Sequence, residues 1–497
     1  MLLYDNNQVT CDGPLDWINT EDVNAKMRAT GWEVFDVFDG NYNVQEIVSA
    51  LKLAKSVKGK PVFVNIRTTI GVGTAVAGTH KAHHGAFDKE SIAHAKKLAG
   101  IPLDQTHVVP PRALKFFRKC REAGVWLQQD WTSALLEYSA QYPELAQQLQ
   151  RRQSGELGNI DTILDSMNSS EFLGKATRQA NGTILEKLWT ACPSLCGGGA
   201  DLVNSNQIKY AETDVFHPSI GYTGRYIRNG IREHAMAAVA NGLAAYGKGA
   251  FLPITATFLM FYLYAAPGVR MGALSGLQVI HIATHDSFAE GQNGPTHQPV
   301  EVDSLYRAMP NVTYIRPCDG EELLGAWKIA LHKRDGPSFL SIARDPVKHV
   351  PGTDRNKVKY GAYILNDATN ADLTLVSCGT NLHYAMDALQ RLERKGLKVR
   401  LVSFPSMDLF QAQSEEYQNS VLPRDGKPIV SVEEYVATAW ARYVTASIGM
   451  TTYGYSASNE SNYRRFELDG EGIEKRTSAY LSKLGGQDAR RAGWQQI

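Results

Sequence analysis

Arg225-Tyr-Ile-Arg-Asn-Gly-Ile-Arg-Glu-His-Ala-Met-Ala-Ala-Val-Ala-Asn-Gly-Leu-Ala-Ala-Tyr246 is the stretch around which the rest of the chain is read. It begins irregular and basic and ends rich in small residues. Ala235, Ala237, Ala238, Ala240, Ala244 and Ala245 favour helix and let another backbone come close. The pattern predicts an arm running into a buried or interfacial helix. Glu233 opens that helix. On a solvated helix it would be an ordinary first-turn acid favoured by the dipole. Among small apolar neighbours a carboxylate is costly to bury and calls for a partner or a task.

The next informative stretch is Thr257-Phe-Leu-Met-Phe-Tyr-Leu-Tyr264. Phe258, Phe261 and Tyr264 recur every three residues, which on one helix would align them. Taken alone, such a stripe is more often a core-packing face. A buried glutamate together with an aromatic pocket suits a flat heteroaromatic cofactor that must be protonated on a ring nitrogen. From Gly224 to Arg270 the sequence resembles the transketolase family, which includes the dihydroxyacetone synthases and uses thiamine diphosphate. The resemblance implies that Glu233 protonates the aminopyrimidine and that Phe258, Phe261 and Tyr264 hold it. It also implies a homodimer, because the family's sites lie between two chains.

Composition sets the frame. A chain of 497 residues holds two to four domains. With 52 Lys+Arg against 51 Asp+Glu, nothing points to a nucleic acid or an anionic membrane. The cysteines form no CxxC pair and read as free thiols in a reducing compartment. The start lacks a secretory signal, no run reaches the length of a membrane span, and the end is not a Ser-Lys-Leu address. A cytoplasmic protein is expected.

The first segment reads as a parallel βαβ unit. Leu2-Leu3-Tyr4 is a short buried strand ended by a turn at Asp5-Asn6-Asn7, Val44 to Val57 a helix, and Pro61 to Ile66 the next strand. About two strands precede the loop at Ile70, so the first domain is expected to be truncated. The resemblance implies that Asn7 and, through its backbone carbonyl, Val9 bind a divalent metal, magnesium (Mg2+) or calcium (Ca2+). The family's metal-binding aspartate has no counterpart here, and a hard cation needs several oxygens. A separate N-terminal polypeptide is one way to complete the site. Ile70 is expected at the cofactor. Gly71 to Gly85 is a flexible loop with three histidines; a zinc site at His80, His83 and His84 is the alternative to solvated side chains. The resemblance puts His84 beside the diphosphate and the reacting carbon, with His83 leaving the assignment open by one position.

Pro110 to Gln153 reads as polar helix and Arg151 to Leu157 as linker. Phe172 to Arg178 leads into a helix from about Asn181, and Cys196-Gly-Gly-Gly-Ala-Asp201 is a tight loop able to approach a ligand. Leu277 to Ala283 is a buried strand ending in Thr284-His-Asp-Ser-Phe-Ala-Glu-Gly-Gln-Asn-Gly-Pro-Thr-His-Gln-Pro299, where α/β folds place ligands. The resemblance implies that Arg178, Ser205, His285 and Arg344 hold a sugar phosphate, that Asp201 contacts cofactor across the dimer, and that His297 lies near the reacting carbonyl. Asn293 stands where the family usually has an aspartate reading a sugar hydroxyl.

The third segment, with strands at Leu373–Ser377, Val399–Phe404 and Pro428–Glu433 and a helix from Thr438, has no dense catalytic constellation. The expected fold is α/β: three successive domains with mostly parallel sheets and a thiamine diphosphate-binding fold. The boundaries are 1–150, a truncated diphosphate-binding domain plus linker; 151–355, a pyrimidine-binding domain; and 356–497, a C-terminal domain. The expected function is transfer of a two-carbon ketol unit from a ketose phosphate to an aldose. The alternatives are a non-catalytic or split-enzyme subunit, and a dihydroxyacetone synthase using formaldehyde.

Overall fold

Val62, Phe63 and Val64 are consecutive and all buried, as in a strand covered on both faces. They lie at the centre of the first sheet in a computed structural model that describes residues 1–85, 87–208, 214–288 and 290–497. This sheet is β1 (Leu2–Asn6), β2 (Glu33–Val37) and β3 (Val62–Arg67), parallel, in the order β1-β3-β2. It corrects the sequence reading twice. β2 was not anticipated, because Glu33-Val-Phe-Asp-Val37 carries two acids in five residues. β1 is not buried: Leu2 is 47% and Leu3 49% exposed, because the strand forms the sheet's edge, and it runs on to Asn6. Helix Val44–Ser56 sets Ala50 and Ala54 against Val37, Val62 and Val64.

The chain forms two compact units, Met1–Ala134 and Leu135–Ile497. Helix Pro111–Gln141 straddles the division and has no buried residue. Helix Pro143–Ser154 takes up half of the stretch expected as linker, and stops where Gly155 turns left-handed at φ 71°.

The second unit holds two sheets. The first is β4 (Leu195–Gly199), β5 (Leu252–Phe258), β6 (Ile280–Thr284), β7 (Thr313–Ile315) and β8 (Ser338–Ile342), all parallel, in the order β4-β5-β6-β8-β7. Every residue in these strands is buried. Side chains alternate between faces. Ile254, Ile280 and Ile282 meet helices Thr177–Ala191 and Gly320–His332; Ala283, Tyr314 and Phe339 meet helices Glu233–Tyr246 and Tyr262–Leu274. The last two helices touch closely, as the alanines suggested: a Cβ on Gly268 would lie 2.8 Å from the Cβ of Ala237.

The Cys196-Gly-Gly-Gly run is a strand, not the expected loop. The predicted arm explains why. Gly197 N–H donates to Arg225 O, and Ile227 N–H to Gly197 O, each at 2.9 Å. The arm thus lies along β4 and covers what would be an open edge. A Cβ at Gly198 would meet Ile227 O at 2.3 Å, so the arm fits only against glycine.

The last sheet is β9 (Tyr363–Asn366), β10 (Leu373–Ser377), β11 (Val399–Ser403), β12 (Ile429–Val436), β13 (Ala446–Met450) and β14 (Gln495–Gln496), ordered β14-β13-β12-β10-β11-β9, with only β9 antiparallel among them. The helix expected from Thr438 is a short 3-10 segment, Ala437–Arg442. Trp440 turns inward there to donate to Glu433 Oε2 at 2.7 Å, and β13 starts at Ala446.

Arg316 joins the two sheets of the second unit. It is fully buried and donates to Asp286 Oδ2 at 2.9 Å, Glu433 Oε1 at 2.9 Å and Asn381 Oδ1 at 3.1 Å, and pairs with Glu434. Arg307 adds bonds of 2.7 and 2.8 Å to Glu433 and 2.6 Å to Asp303.

Candidate functional site

Parallel strands end together, and polar residues just past those ends share one rim. Asp201 follows β4, Phe258 ends β5, His285 follows β6 and Arg344 follows β8. Two of the four are strained. Asp201 and His285 have φ of 63° and 59°, left-handed values that residues other than glycine rarely adopt. Such strain gathers where a side chain is aimed for a task.

The aromatic part of the rim is tightly built. The His285 ring lies 3.7 Å from that of Phe258, and Phe258 stacks on Phe261 at 5.3 Å and 14°. His297 lies 5.4 Å from Phe261 and 6.1 Å from Phe258. The expected single helical stripe is corrected. Phe258 belongs to a strand, Phe261 to the turn after it, and Tyr264 to helix Tyr262–Leu274. Tyr264 is 68% exposed and stands outside the stack.

Glu233 is the first residue of helix Glu233–Tyr246 and only 7% exposed. That helix packs on β5 and on helix Tyr262–Leu274. The carboxylate has no hydrogen-bond partner among the described residues, and its oxygens are not fully buried. Burial pushes the neighbouring Tyr262 hydroxyl up in pKa, and Glu233 contributes to that.

The cationic part is assembled by backbone atoms. Arg178 Nε donates to Arg344 O at 3.0 Å and its Nη1 to Ser205 O at 2.6 Å. Ala343 N–H donates to Thr177 Oγ1 at 2.7 Å, locking the helix start onto the end of β8. Ser205 therefore positions Arg178 through its carbonyl. Thr284 Oγ1 donates to Asn206 Oδ1 at 2.8 Å and lies 2.8 Å from His285 Nδ1. Its one proton being used, His285 Nδ1–H is the donor and Nε2 is left as an acceptor. Burial, then Arg178, Arg344 and His297, push His285 down to about 3, so the ring is neutral.

Glu290 was not singled out from the sequence. It is 1% exposed, and its Oε2 accepts from Arg344 Nη1 at 3.2 Å. Burial raises it to about 8 despite Arg344. Nothing local marks it: only the fold buries this loop acid. Asn293, three residues on, is exposed at the end of a 3-10 turn. Asp201 and Ser205 line an open cleft of about 490 Å³ with Tyr226 and Arg228.

In the first unit, Val9 N–H donates to Asn7 Oδ1 at 3.0 Å, and Gly78 N–H to Ile70 O at 2.9 Å. His84 is exposed, its ring 5.2 Å from that of His83. Among the described residues no three His, Cys, Asp or Glu side chains cluster as metal ligands, so the zinc alternative at His80, His83 and His84 has no support.

The pyrimidine end of thiamine diphosphate fits: a carboxylate without a partner among the described residues and a flat aromatic face lie on a helix and on the strand it packs against. The metal end does not close: among the described residues no cluster of carboxylates joins Asn7, whose Oδ1 accepts from Val9 N–H.

Residues 1–158 match the transketolase thiamine diphosphate-binding domain, 174–348 the transketolase pyrimidine-binding domain, and 361–469 the transketolase-like C-terminal domain. Dihydroxyacetone synthase of Pichia angusta is 42% identical over 495 residues, covering 97% of this chain and 69% of the relative. Transketolase 1 of Saccharomyces cerevisiae is 37% identical over 486 residues, with 97% and 71% covered. The structure of a Pichia stipitis transketolase in complex with sedoheptulose 7-phosphate superposes with a TM-score of 0.93 at 36% identity, covering 98% of this chain and 72% of that one. Fold and site define a thiamine diphosphate-dependent transferase of ketol groups. The chain belongs to the transketolase family, and spans about seven-tenths of the length of these relatives.

Proposed function

We propose that this chain transfers a two-carbon ketol unit from a ketose phosphate to an aldose, with Glu233 as the residue that sets the cofactor to work. The observation carrying this reading is the buried Glu233 carboxylate, unpartnered among the described residues, on a helix packed against the strand that ends in Phe258. Thiamine diphosphate, when bound, supplies the electron sink for breaking and making the carbon–carbon bond. Glu233 exchanges a proton with a pyrimidine ring nitrogen. Phe258 and Phe261 hold that ring by stacking, and Tyr264 closes it from the exposed side. His297 and His84 move protons at the reacting carbonyl. Arg178 and Arg344 hold the substrate phosphate, planar guanidiniums being suited to it. Ser205 and His285 orient the substrate, and Asn293 reads a sugar hydroxyl.

The same reading assigns Asn7, Ile70 and Asp201 to the cofactor, and Asn7 and Val9 to magnesium or calcium. The metal's missing oxygens would come from a further N-terminal polypeptide. A second copy would cover the apolar face of helices Glu233–Tyr246 and Tyr262–Leu274, where Val239, Tyr246, Tyr264 and Leu274 are exposed. A cytoplasmic location and the three-domain division at 150 and 355 complete the reading. Among the described residues, no helix is long and apolar enough to cross a membrane.

A second reading has its own support. Dihydroxyacetone synthases of Pichia angusta and Candida boidinii are 42% and 40% identical to the chain, against 37% for Transketolase 1. That favours formaldehyde as an acceptor. The test is ketol transfer by the purified chain with thiamine diphosphate and magnesium, offered an aldose phosphate or formaldehyde. Transfer is expected, alone or after adding an N-terminal polypeptide with the metal-binding aspartate. No transfer with either acceptor, with that polypeptide present, would overturn the function.

A further inference from the structure

We propose that Glu290 is a specificity-determining residue: its carboxylate competes with a substrate phosphate for Arg344, so the site discriminates against phosphorylated substrates whenever Glu290 is ionised. This rests on the reading of Arg178 and Arg344 as the phosphate-holding pair.

The geometry is that of an internal competitor. Glu290 Oε2 lies 3.2 Å from Arg344 Nη1, with the Glu290 side chain fully buried and that of Arg344 37% exposed. Arg344 is thus partly open to solvent while its Nη1 is already engaged by the Glu290 carboxyl group. Glu290 Oε1 is buried with no hydrogen-bond partner among the described residues. A carboxylate oxygen in that condition either carries a proton or meets a hydroxyl donor. A phosphate can offer neither relief, and brings a second anion beside the first. An uncharged substrate ending in a hydroxyl can donate to it.

Charge counting decides which occupant wins. The groups facing Glu290 are Arg344, Asp345 and Asp286, with Arg178 and His285 beyond them. His285 is neutral and adds no positive charge. Asp286 is committed to Arg316. Two guanidiniums therefore face the ligand, and an ionised Glu290 cancels one of them. A sugar phosphate is close to a dianion above pH 7, so it binds well only when Glu290 holds a proton. Glu290 sits at about 8, so that condition holds at pH 7 and fails at pH 9. A single proton linked in this way weakens phosphate binding by about tenfold between pH 7 and 9.

The test is a binding measurement that needs no turnover. A ketose phosphate is titrated calorimetrically into the full chain and into Glu290→Gln, at pH 7 and pH 9. The unphosphorylated ketose serves as the matched ligand. Expected for the wild-type chain is about a tenfold weaker affinity for the phosphate ester at pH 9, which Glu290→Gln abolishes, with no such pH step for the unphosphorylated ketose. Arg344→Leu removes phosphate binding at both pH values. A pH step that persists in Glu290→Gln overturns the inference, as does an equal step for both ketoses. Ketol-transfer assays on the same samples, with the N-terminal polypeptide added, separate the two readings: a pH step that Glu290→Gln abolishes, without any turnover, sinks the function and leaves Glu290 standing.

Discussion

The His285 ring lies over the Phe258 ring with centroids 3.7 Å apart and planes 22° from parallel. Each side chain fixes the other: Phe258 closes β5, and His285 is held in a left-handed backbone by the loop after β6. Phe258→Ala therefore removes a wall from both the aromatic stack and the histidine. Truncating a buried phenylalanine costs about 3–5 kcal/mol of stability. The informative quantity is thiamine diphosphate affinity, followed by fluorescence titration in a folded sample. A loss of about tenfold or more is expected, from lost stacking of order 1 kcal/mol and a displaced His285. Unchanged affinity beside lowered stability would reduce Phe258 to core packing.

Glu233→Gln separates chemistry from folding in a way few buried substitutions do. The carboxylate has no hydrogen bond to lose among the described residues, so the thermal midpoint should hold or rise slightly. Turnover with saturating cofactor should fall by about 100-fold or more, as for loss of a positioned general acid–base group. Equal activity in the two proteins would remove Glu233 from the mechanism.

How much of this was legible beforehand divides along a physical line. The helix at Glu233, the buried strand at Ile280 and the polar rim after it were readable because period and turn chemistry are local. The Gly197–Gly199 strand was not, because glycine has poor strand propensity and the reason for it is the arm of residues 225–229 lying across it. Phe258, Phe261 and Tyr264 do not share one helix face, since a three-residue spacing does not reveal a strand-to-helix corner. Glu290 was invisible, being an acid in a polar loop that tertiary packing buries. Glu433-Glu434 did carry a signal: two adjacent acids inside an apolar strand need cations, and Arg307 and Arg316 supply them.

That pairing leads to a third expectation. Burial works against ionisation of Glu433, but the Arg307 and Arg316 guanidiniums outweigh it and hold the carboxyl below its usual range. Arg316→Met leaves Asp286, Glu433 and Glu434 facing one another with half their compensation gone. Breaking one partner of such a buried set costs about 3–5 kcal/mol. The urea midpoint of the second unit should drop accordingly, with near-wild-type slope. A shift of less than about 1 kcal/mol would mean that water or side-chain rearrangement screens the cluster.

Acid stability tests the two buried histidines. His281 is fully buried, with Nδ1 2.7 Å from Thr255 Oγ1 and Nε2 unpartnered among the described residues, and burial pushes it down to about 3, as it does His285. Their unfolded value is about 6.5. Between those values the unfolded chain binds the extra protons, so stability rises with pH; it is complete above 6.5 and drains away toward 3. Each histidine contributes a slope of about 1.4 kcal/mol per pH unit within that window. Glu290 acts the other way. Its folded value of about 8 lies above the 4.5 of a free glutamate, so the folded chain gains protons as pH falls from 8 to 4.5 and is stabilised by them. A single melting curve series would mix the two. The clean quantity is the difference between wild type and His281→Asn at each pH, in which the Glu290 contribution cancels. That difference should shrink steadily as pH is lowered from 6.5 to 4.5. A difference independent of pH would mean that His281 is already charged in the folded chain, against the dry surroundings that its position on β6 gives it.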